Sequence, residues 1–228
     1  VDFVETYFSK TQILHGKHIV VTAGPTYEKI DPVRFVGNYS TGKMGFSIAE
    51  RCAELGAKVT LIAGPVALNV TNPLIKRVDV ESAEQMYNAA IEAFSVADGA
   101  VLSAAVADFK PKNQVDTKLK RGKDEFQLQL SPTNDIAAAL GQQKKQNQFL
   151  VGFALETDNE LQNAQNKLKK KNLDFIVLNS MQNAQTCFGC DTNKIWIIRN
   201  DGTCNDYPLK TKKEVARDIV EEIVKCIK

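Results

Sequence analysis

The sequence predicts an α/β protein whose mostly parallel sheet is covered by helices on both faces. Three observations carry that expectation. Short continuous apolar runs recur along the chain, as strands buried on both faces require. Segments with apolar residues at helical spacing separate them. The first two runs stop at Gly-Pro, at Gly24-Pro25 and Gly64-Pro65, where regular structure breaks. Strands that alternate with helices then favour parallel pairing through crossovers.

The elements follow in order. Residues 1–16 are mixed and read as a short leader turn or helix. His18-Ile19-Val20-Val21-Thr22-Ala23 is the first buried strand, and a loop runs on to about Ser40. Met44, Ile48, Cys52 and Leu55 fall on one helical face, with Ser40 or Thr41 as start signal and Gly56 as stop. Residues 58–63 and 75–80 read as strands. Ser82-Ala83-Glu84-Gln85 fits a capping box opening a helix to about Phe94, and residues 99–104 form a fourth strand. After a lysine-rich loop containing Pro111, residues 125–130 alternate polar and apolar, the mark of a half-exposed strand. Residues 134–140 read as a short helix, 149–153 as a strand, 159–171 as a helix and 175–178 as a strand. Ile195-Trp196-Ile197-Ile198 turning at Asn200-Asp201-Gly202 predicts a hairpin. Thr211-Lys212-Lys213-Glu214 opens a last helix with Val215, Ile219 and Ile223 on one face. The chain, 1–228, is read as one domain without repeats.

Bulk composition narrows the function. With 29 basic and 27 acidic residues the net charge is only +2, so no nucleic-acid or membrane partner is expected. No apolar run is long enough to span a bilayer, and the acidic start Val1-Asp2-Phe3-Val4-Glu5 does not read as a signal peptide. Five cysteines (Cys52, Cys187, Cys190, Cys204, Cys226) are an odd number, and the simplest reading is reduced thiols in a cytoplasm.

Open parallel sheets bind ligands at the carboxyl ends of their strands, which directs attention to the loops after Ala23, Ala104 and Phe153. In the first, Asn38-Tyr39-Ser40-Thr41-Gly42-Lys43-Met44-Gly45 places hydroxyls, glycines and a lysine where a helix begins, a natural phosphate seat. It matches neither the Walker A spacing nor Gly-x-Gly-x-x-Gly, and ordinary capping explains it equally well. In the second, Ser103-Ala104-Ala105 lets a ligand approach the backbone closely. Asp108 beyond it suits a hydrated Mg²⁺, and Lys118 and Lys120 suit phosphate. A cap beside a solvated basic loop is the plainer account. In the third, Phe153 is followed by Lys167 and Lys171, four apart on one helical face. A solvated lysine face is the ordinary meaning of such a run. Cys187-Phe188-Gly189-Cys190 lacks the further ligands of a structural zinc site and the strand-to-helix setting of a redox pair.

Together these segments resemble the bacterial phosphopantothenoylcysteine synthetases, the CTP-dependent phosphopantothenate–cysteine ligases of coenzyme A synthesis. The resemblance runs from about Gly16 to the C-terminus. It is carried by Thr22-Ala23-Gly24-Pro25-Thr26, Asp31-Pro32-Val33-Arg34, Asn38 to Gly45, Ala104 to Asp108, Gly152-Phe153-Ala154 with Glu156-Thr157, and Lys171-Asn172-Leu173-Asp174. In many bacteria this half is fused to a flavin-dependent decarboxylase; here the resemblance implies a stand-alone synthetase, with association to a separate decarboxylase left open.

The resemblance implies a three-layer, Rossmann-like sandwich with a small β extension used in dimerisation, and a cytoplasmic, Mg²⁺-dependent homodimer. The carboxylate of 4′-phosphopantothenate attacks CTP to give an acyl-cytidylate and pyrophosphate, and the amine of cysteine then displaces CMP. Asn38, Arg34 and Lys118 take the catalytic places, with Asn38 gripping the acyl oxygen and Lys118 assisting formation of the intermediate. Ser40, Thr41, Gly42 and Lys43 match the cradle for the phosphate of phosphopantothenate. Ser103, Ala104, Ala105, Asp108, Lys118, Phe153, Lys167 and Lys171 match the nucleotide site, with Mg²⁺ near Asp108 through water. Asn134, Asp135, Ile136 and Ala137 align with the base-recognition turn, where Thr133 replaces the usual preceding Asn and the usual proline is missing.

Two other classes compete. A nicotinamide-dependent oxidoreductase on a Rossmann-like sheet needs an acidic residue ending its second strand, and here that strand ends Ala63-Gly64-Pro65. A non-catalytic nucleotide-binding module would keep the phosphate seat but has no use for both Asn38 and Lys118.

Overall fold

The protein is described by a computed structural model that covers residues 12–122, 125–156, 158–180 and 189–227. In chain order the first elements are β1 (His18–Ala23), β2 (Tyr27–Lys29), β3 (Phe35–Gly37), α1 (Lys43–Glu54), β4 (Lys58–Ala63), β5 (Ile75–Asp79), α2 (Ala83–Phe94) and β6 (Gly99–Leu102). Next come β7 (Phe109–Pro111), β8 (Leu130–Pro132), α3 (Ile136–Gln143), β9 (Phe149–Glu156) and α4 (Glu160–Lys170). The last are β10 (Phe175–Ser180), β11 (Thr192–Arg199), β12 (Cys204–Thr211) and α5 (Lys212–Cys226).

Eight strands form one sheet in the order β12-β11-β10-β9-β6-β1-β4-β5. All pairs from β10 to β5 are parallel, while β11 and β12 add an antiparallel edge. Both faces are covered. Ile19 and Val21 of β1 pack under α1 and α5, and Val20 between them packs under α2 and its neighbours. Successive side chains on a strand point to opposite faces, so a strand buried on both must be apolar throughout. Each fully buried Val or Ile contributes about 1.5–3 kcal/mol. The result is the expected three-layer, Rossmann-like sandwich.

The chain runs from β1 outward to β4 and β5, then returns to β6 on the other side of β1. The loops after β1 and β6 therefore diverge and open a crevice between them at the sheet's carboxyl edge. Pro25 and Ala105 pair across its base in an isolated parallel bridge.

Several local expectations are corrected. The loop after β1 contains the β2–β3 hairpin, two three-residue strands too short and mixed to show a period. Its sides are held by stacked Tyr27 and Phe35 rings, 3.8 Å between centroids. Helix α1 is not capped by Ser40 or Thr41; its N-cap is Gly42 at φ 77°, with no side-chain bond, because that backbone region favours glycine. The strand expected over 125–130 reduces to β8, since β7 offers only three residues to pair with. Beyond it, among the described residues, the Lys112 amide donates to the Gln129 carbonyl at 2.9 Å. The leader expectation falls mainly on residues 1–11, outside the described residues. The capping boxes at Ser82–Gln85 and Thr211–Glu214 are both formed.

Candidate active site at the sheet's carboxyl edge

A cavity of about 380 Å³ opens at this crevice. Its floor is built from backbone. The Ala105 amide donates to the Gly24 carbonyl at 2.9 Å, and Thr26 donates back to the Ala105 carbonyl at 3.3 Å. Thr22 Oγ1 accepts from the Ala104 amide at 3.2 Å, and Thr26 Oγ1 from Ala107 at 3.0 Å. These buried hydroxyls explain why threonine stands at each end of the Ala-Gly-Pro break. Helix α1 enters tightly: a Cβ on Gly45 would lie 2.6 Å from that of Ala23.

Residues singled out from three separate segments meet in this cavity. Asn38 and the Ser40-Thr41-Gly42-Lys43 run line it from the loop before α1. Ser103, Ala104, Ala105 and Asp108 line it from the loop after β6, and Phe153 from β9. Asn38 Nδ2 donates to the Ala105 carbonyl at 3.0 Å, tying the first two segments together. The amides at the start of α1 have no side-chain cap, which leaves an anion seat of helix-dipole character.

Other residues singled out from the sequence lie outside the lining. Arg34 binds the Asp31 carboxylate at 3.2 Å and the Leu119 carbonyl at 3.1 Å. Asp31 is buried, which pushes its carboxyl up, but the amides of Val33, Arg34 and Leu119 and the Arg34 guanidinium outweigh that and hold it below its ordinary value. Lys118, exposed, is carried by the segment so anchored. Lys167 pairs with Glu156 at 2.6 Å and Lys171 with Asp135 at 3.0 Å, so the two lysines are not a bare solvated face. Asp135 caps α3 through the Ala138 amide at 3.0 Å, and Asn134 and Ala137 flank it at the surface of this turn. Ile136 is buried in the core, so that turn offers a ligand its backbone rather than the Ile136 side chain.

The cavity also contains residues that motif reading passed over: Asn179, Asn193 and Lys212. Lys212 was legible only as the first residue after a helix cap, and Asn193 lay before the recognised hairpin. Lys43 Nζ bonds Asp191 at 2.6 Å and the Gly189 carbonyl at 3.3 Å, and this contact lowers the Asp191 pKa. Cys190 is disulfide-bonded, which corrects the expectation of reduced thiols at that position; sequence spacing does not report the approach of a second sulfur. Cys187 lies outside the described residues. Cys52, Cys204 and Cys226 are free, and burial pushes Cys52 up to about 12.

Residues 14–227 match the family model of the DNA/pantothenate metabolism flavoprotein C-terminal domain. The chain belongs to this family. Its relatives include the coenzyme A biosynthesis bifunctional protein CoaBC of Bacillus subtilis (strain 168), 44% identical over 98% of this chain and 55% of the relative. A protein of an unknown prokaryotic organism, called cysteine/cysteine sulfinic acid decarboxylase, is 50% identical over 98% of this chain and 64% of its own length. The chain thus spans only 55–64% of these two curated relatives. The crystal structure of the C-terminal domain of CoaBC is 42% identical, superposes with a TM-score of 0.79, and is covered to 97% by 94% of this chain. Within the described residues of this family member, no helix is long and apolar enough to cross a membrane.

Proposed function

We propose that the chain is a phosphopantothenate–cysteine ligase of coenzyme A synthesis, acting in the cytoplasm and using CTP. The observation that carries this reading is the meeting of Asn38, the Ser40–Lys43 phosphate seat and Asp108 in one cavity at the sheet's switch point. A carboxylate oxygen of 4′-phosphopantothenate attacks the α-phosphorus of CTP, and the bond to pyrophosphate breaks. The amine of cysteine then attacks the acyl carbon, the bond to CMP breaks, and the amine loses a proton. Asn38 exchanges its bond to the Ala105 carbonyl for the acyl oxygen as charge gathers there. Lys118, placed by the Arg34–Leu119 contact, neutralises charge at the attacked phosphate.

Mg²⁺ fits this donor set. It is bound through one or two carboxylates, water and substrate phosphates rather than by a protein cage. Asp108 is such a carboxylate, and no cluster of three metal-binding side chains occurs among the described residues. When bound, the ion supplies neutralisation of the triphosphate. Exposed Phe35, Phe109 and Leu130 on the two small sheets, with Val33 in the turn between β2 and β3, supply an apolar surface for a homodimer.

The test mixes protein, phosphopantothenate, Mg²⁺ and CTP or ATP, with and without cysteine, and follows pyrophosphate and the mass of the acyl-nucleotide. Equal use of ATP overturns the CTP assignment, and no reaction with either overturns the ligase. Carbon dioxide followed in the same mixtures checks the activity in the name of the 50% identical relative.

A further inference from the structure

One end of the cavity, between β10, β11 and the first turn of α5, has polar groups that no partner among the described residues satisfies. Asn193 sits on the inward stripe of β11 with Ile195 and Ile197, and is only 4% exposed. The strand register shifts between Asn193 and Ile195, the kind of irregularity that re-aims a side chain beside a site. Among the described residues Asn193 Oδ1 has no hydrogen-bond partner, and its Nδ2 reaches the Met44 sulfur at 3.6 Å. Asn179, near the end of β10, has a second unpartnered Oδ1. Buried carbonyl oxygens are normally paired, so two orphans lining one cavity mark a place for a donor.

Beside them Lys212 is 8% exposed. Its ammonium has three protons to give, and the acceptor it has is the Cys190 carbonyl. Burial lowers its pKa, Lys43 lowers it further, and Asp191 opposes them. Lys43 is itself committed to Asp191. An anion next to Lys212 would offset both its burial and its cationic neighbour.

The unmet needs are one anion and one donor with at least two N–H bonds. An α-amino acid carries both on a single carbon, whereas a polyphosphate has nothing to give two carbonyl oxygens. We propose that this end of the cavity seats the amino-acid substrate, with its carboxylate on Lys212 and its amine N–H groups on Asn179 and Asn193. The proposal rests on the ligase reading and locates the substrate that reading leaves without a seat. An amine that gives two N–H bonds keeps its lone pair for the acyl carbon. As the C–N bond forms, the C–O bond to the nucleotide phosphate breaks and a proton leaves to solvent.

The test compares L-cysteine with cysteamine, which keeps the amine and thiol but lacks the carboxylate. The wild-type protein prefers L-cysteine. Lys212→Met erases most of that preference by raising the KM for cysteine at least about tenfold more than the KM for CTP, and Lys212→Arg restores it. Asn193→Leu raises the KM for both amines, and Asn179→Ala repeats the measurement should the buried Asn193 variant not fold. Equal losses on cysteine and cysteamine in Lys212→Met, or a raised KM for CTP with that for cysteine unmoved, overturn the proposal. The second result would place Lys212 with the nucleotide. Failure of the ligase reading looks different, since the wild-type protein would then release no pyrophosphate from CTP or ATP.

Discussion

Arg34 donates from Nη2 to the carbonyl of Leu119 at 3.1 Å, joining two segments 85 positions apart. The Leu119 amide in turn donates to Asp31 Oδ2 at 3.2 Å. Asp31 and Arg34 therefore hold both backbone groups of the residue after Lys118. Arg34→Ala removes one half of that grip and lets Lys118 wander. We expect the rate of acyl-cytidylate formation to fall about tenfold to a hundredfold, the scale of a small misplacement of a reacting group. Single-turnover pyrophosphate release measures it. Arg34→Lys does not rescue, since an ammonium lacks the fork that spans carboxylate and carbonyl.

Asn38→Ala removes the side-chain amide that donates to the Ala105 carbonyl. Loss of one such donor to a developing negative oxygen costs about 10²–10³ in turnover. Binding of CTP, measured by calorimetry without phosphopantothenate, changes little. A large loss of CTP affinity in place of turnover would contradict the assigned role.

Gly45→Ala tests the fit of α1 against the sheet. The new methyl would meet Ala23 Cβ at 2.6 Å and the Thr22 carbonyl at 3.0 Å, both on a strand buried in the sheet. Neither can retreat, so we expect a loss of about 1–3 kcal/mol in chemical denaturation. Activity falls as well, because the displaced helix carries Lys43.

Glu222 gives the fold an acid limit. Its side chain is 4% exposed and is gripped by Arg199 through both oxygens, with Lys225 at 3.0 Å. The Arg199 hydrogen bonds lower its pKa and burial opposes them, leaving it below the ordinary glutamate value of 4.5. A depressed carboxyl stabilises the fold above its unfolded value and loses that contribution as pH falls through its folded value. Thermal melts should therefore be steady above about pH 5 and drop steeply below pH 4. Glu222→Gln should cost about 3 kcal/mol at neutral pH, roughly 6–12 °C in Tm, and flatten that acid drop.

Much of the site was legible in order along the chain. Ala23-Gly24-Pro25 ends a strand because Gly-Pro breaks one, whereas Ser103-Ala104-Ala105 holds no breaker, and β6 stops at Leu102, two residues before the expected end at Ala104. Asn193 and Lys212 were not legible. Asparagine in a strand and lysine after a threonine cap are ordinary locally, and only burial makes either unusual. The β2–β3 hairpin escaped because three residues per strand show no period, although Tyr27 stacks on Phe35. The strand expected over 125–130 failed for the opposite reason, since alternation describes a side chain's surroundings and cannot create the partner strand that β7 is too short to be.

By itself the sequence determined the layers, the capping boxes, the parallel core and the Gly-Pro breaks after the first strands, because each depends on the spacing of neighbouring residues. Tertiary structure alone decided that Asn38 bonds Ala105 rather than solvent, that Lys167 and Lys171 are paired, and that Asn179 and Asn193 keep unfilled acceptors beside Lys212. Those facts depend on which segments the strand order 12-11-10-9-6-1-4-5 brings to one edge. Desolvation and pairing belong to places in space, and residues far apart in sequence acquire them only when the sheet closes.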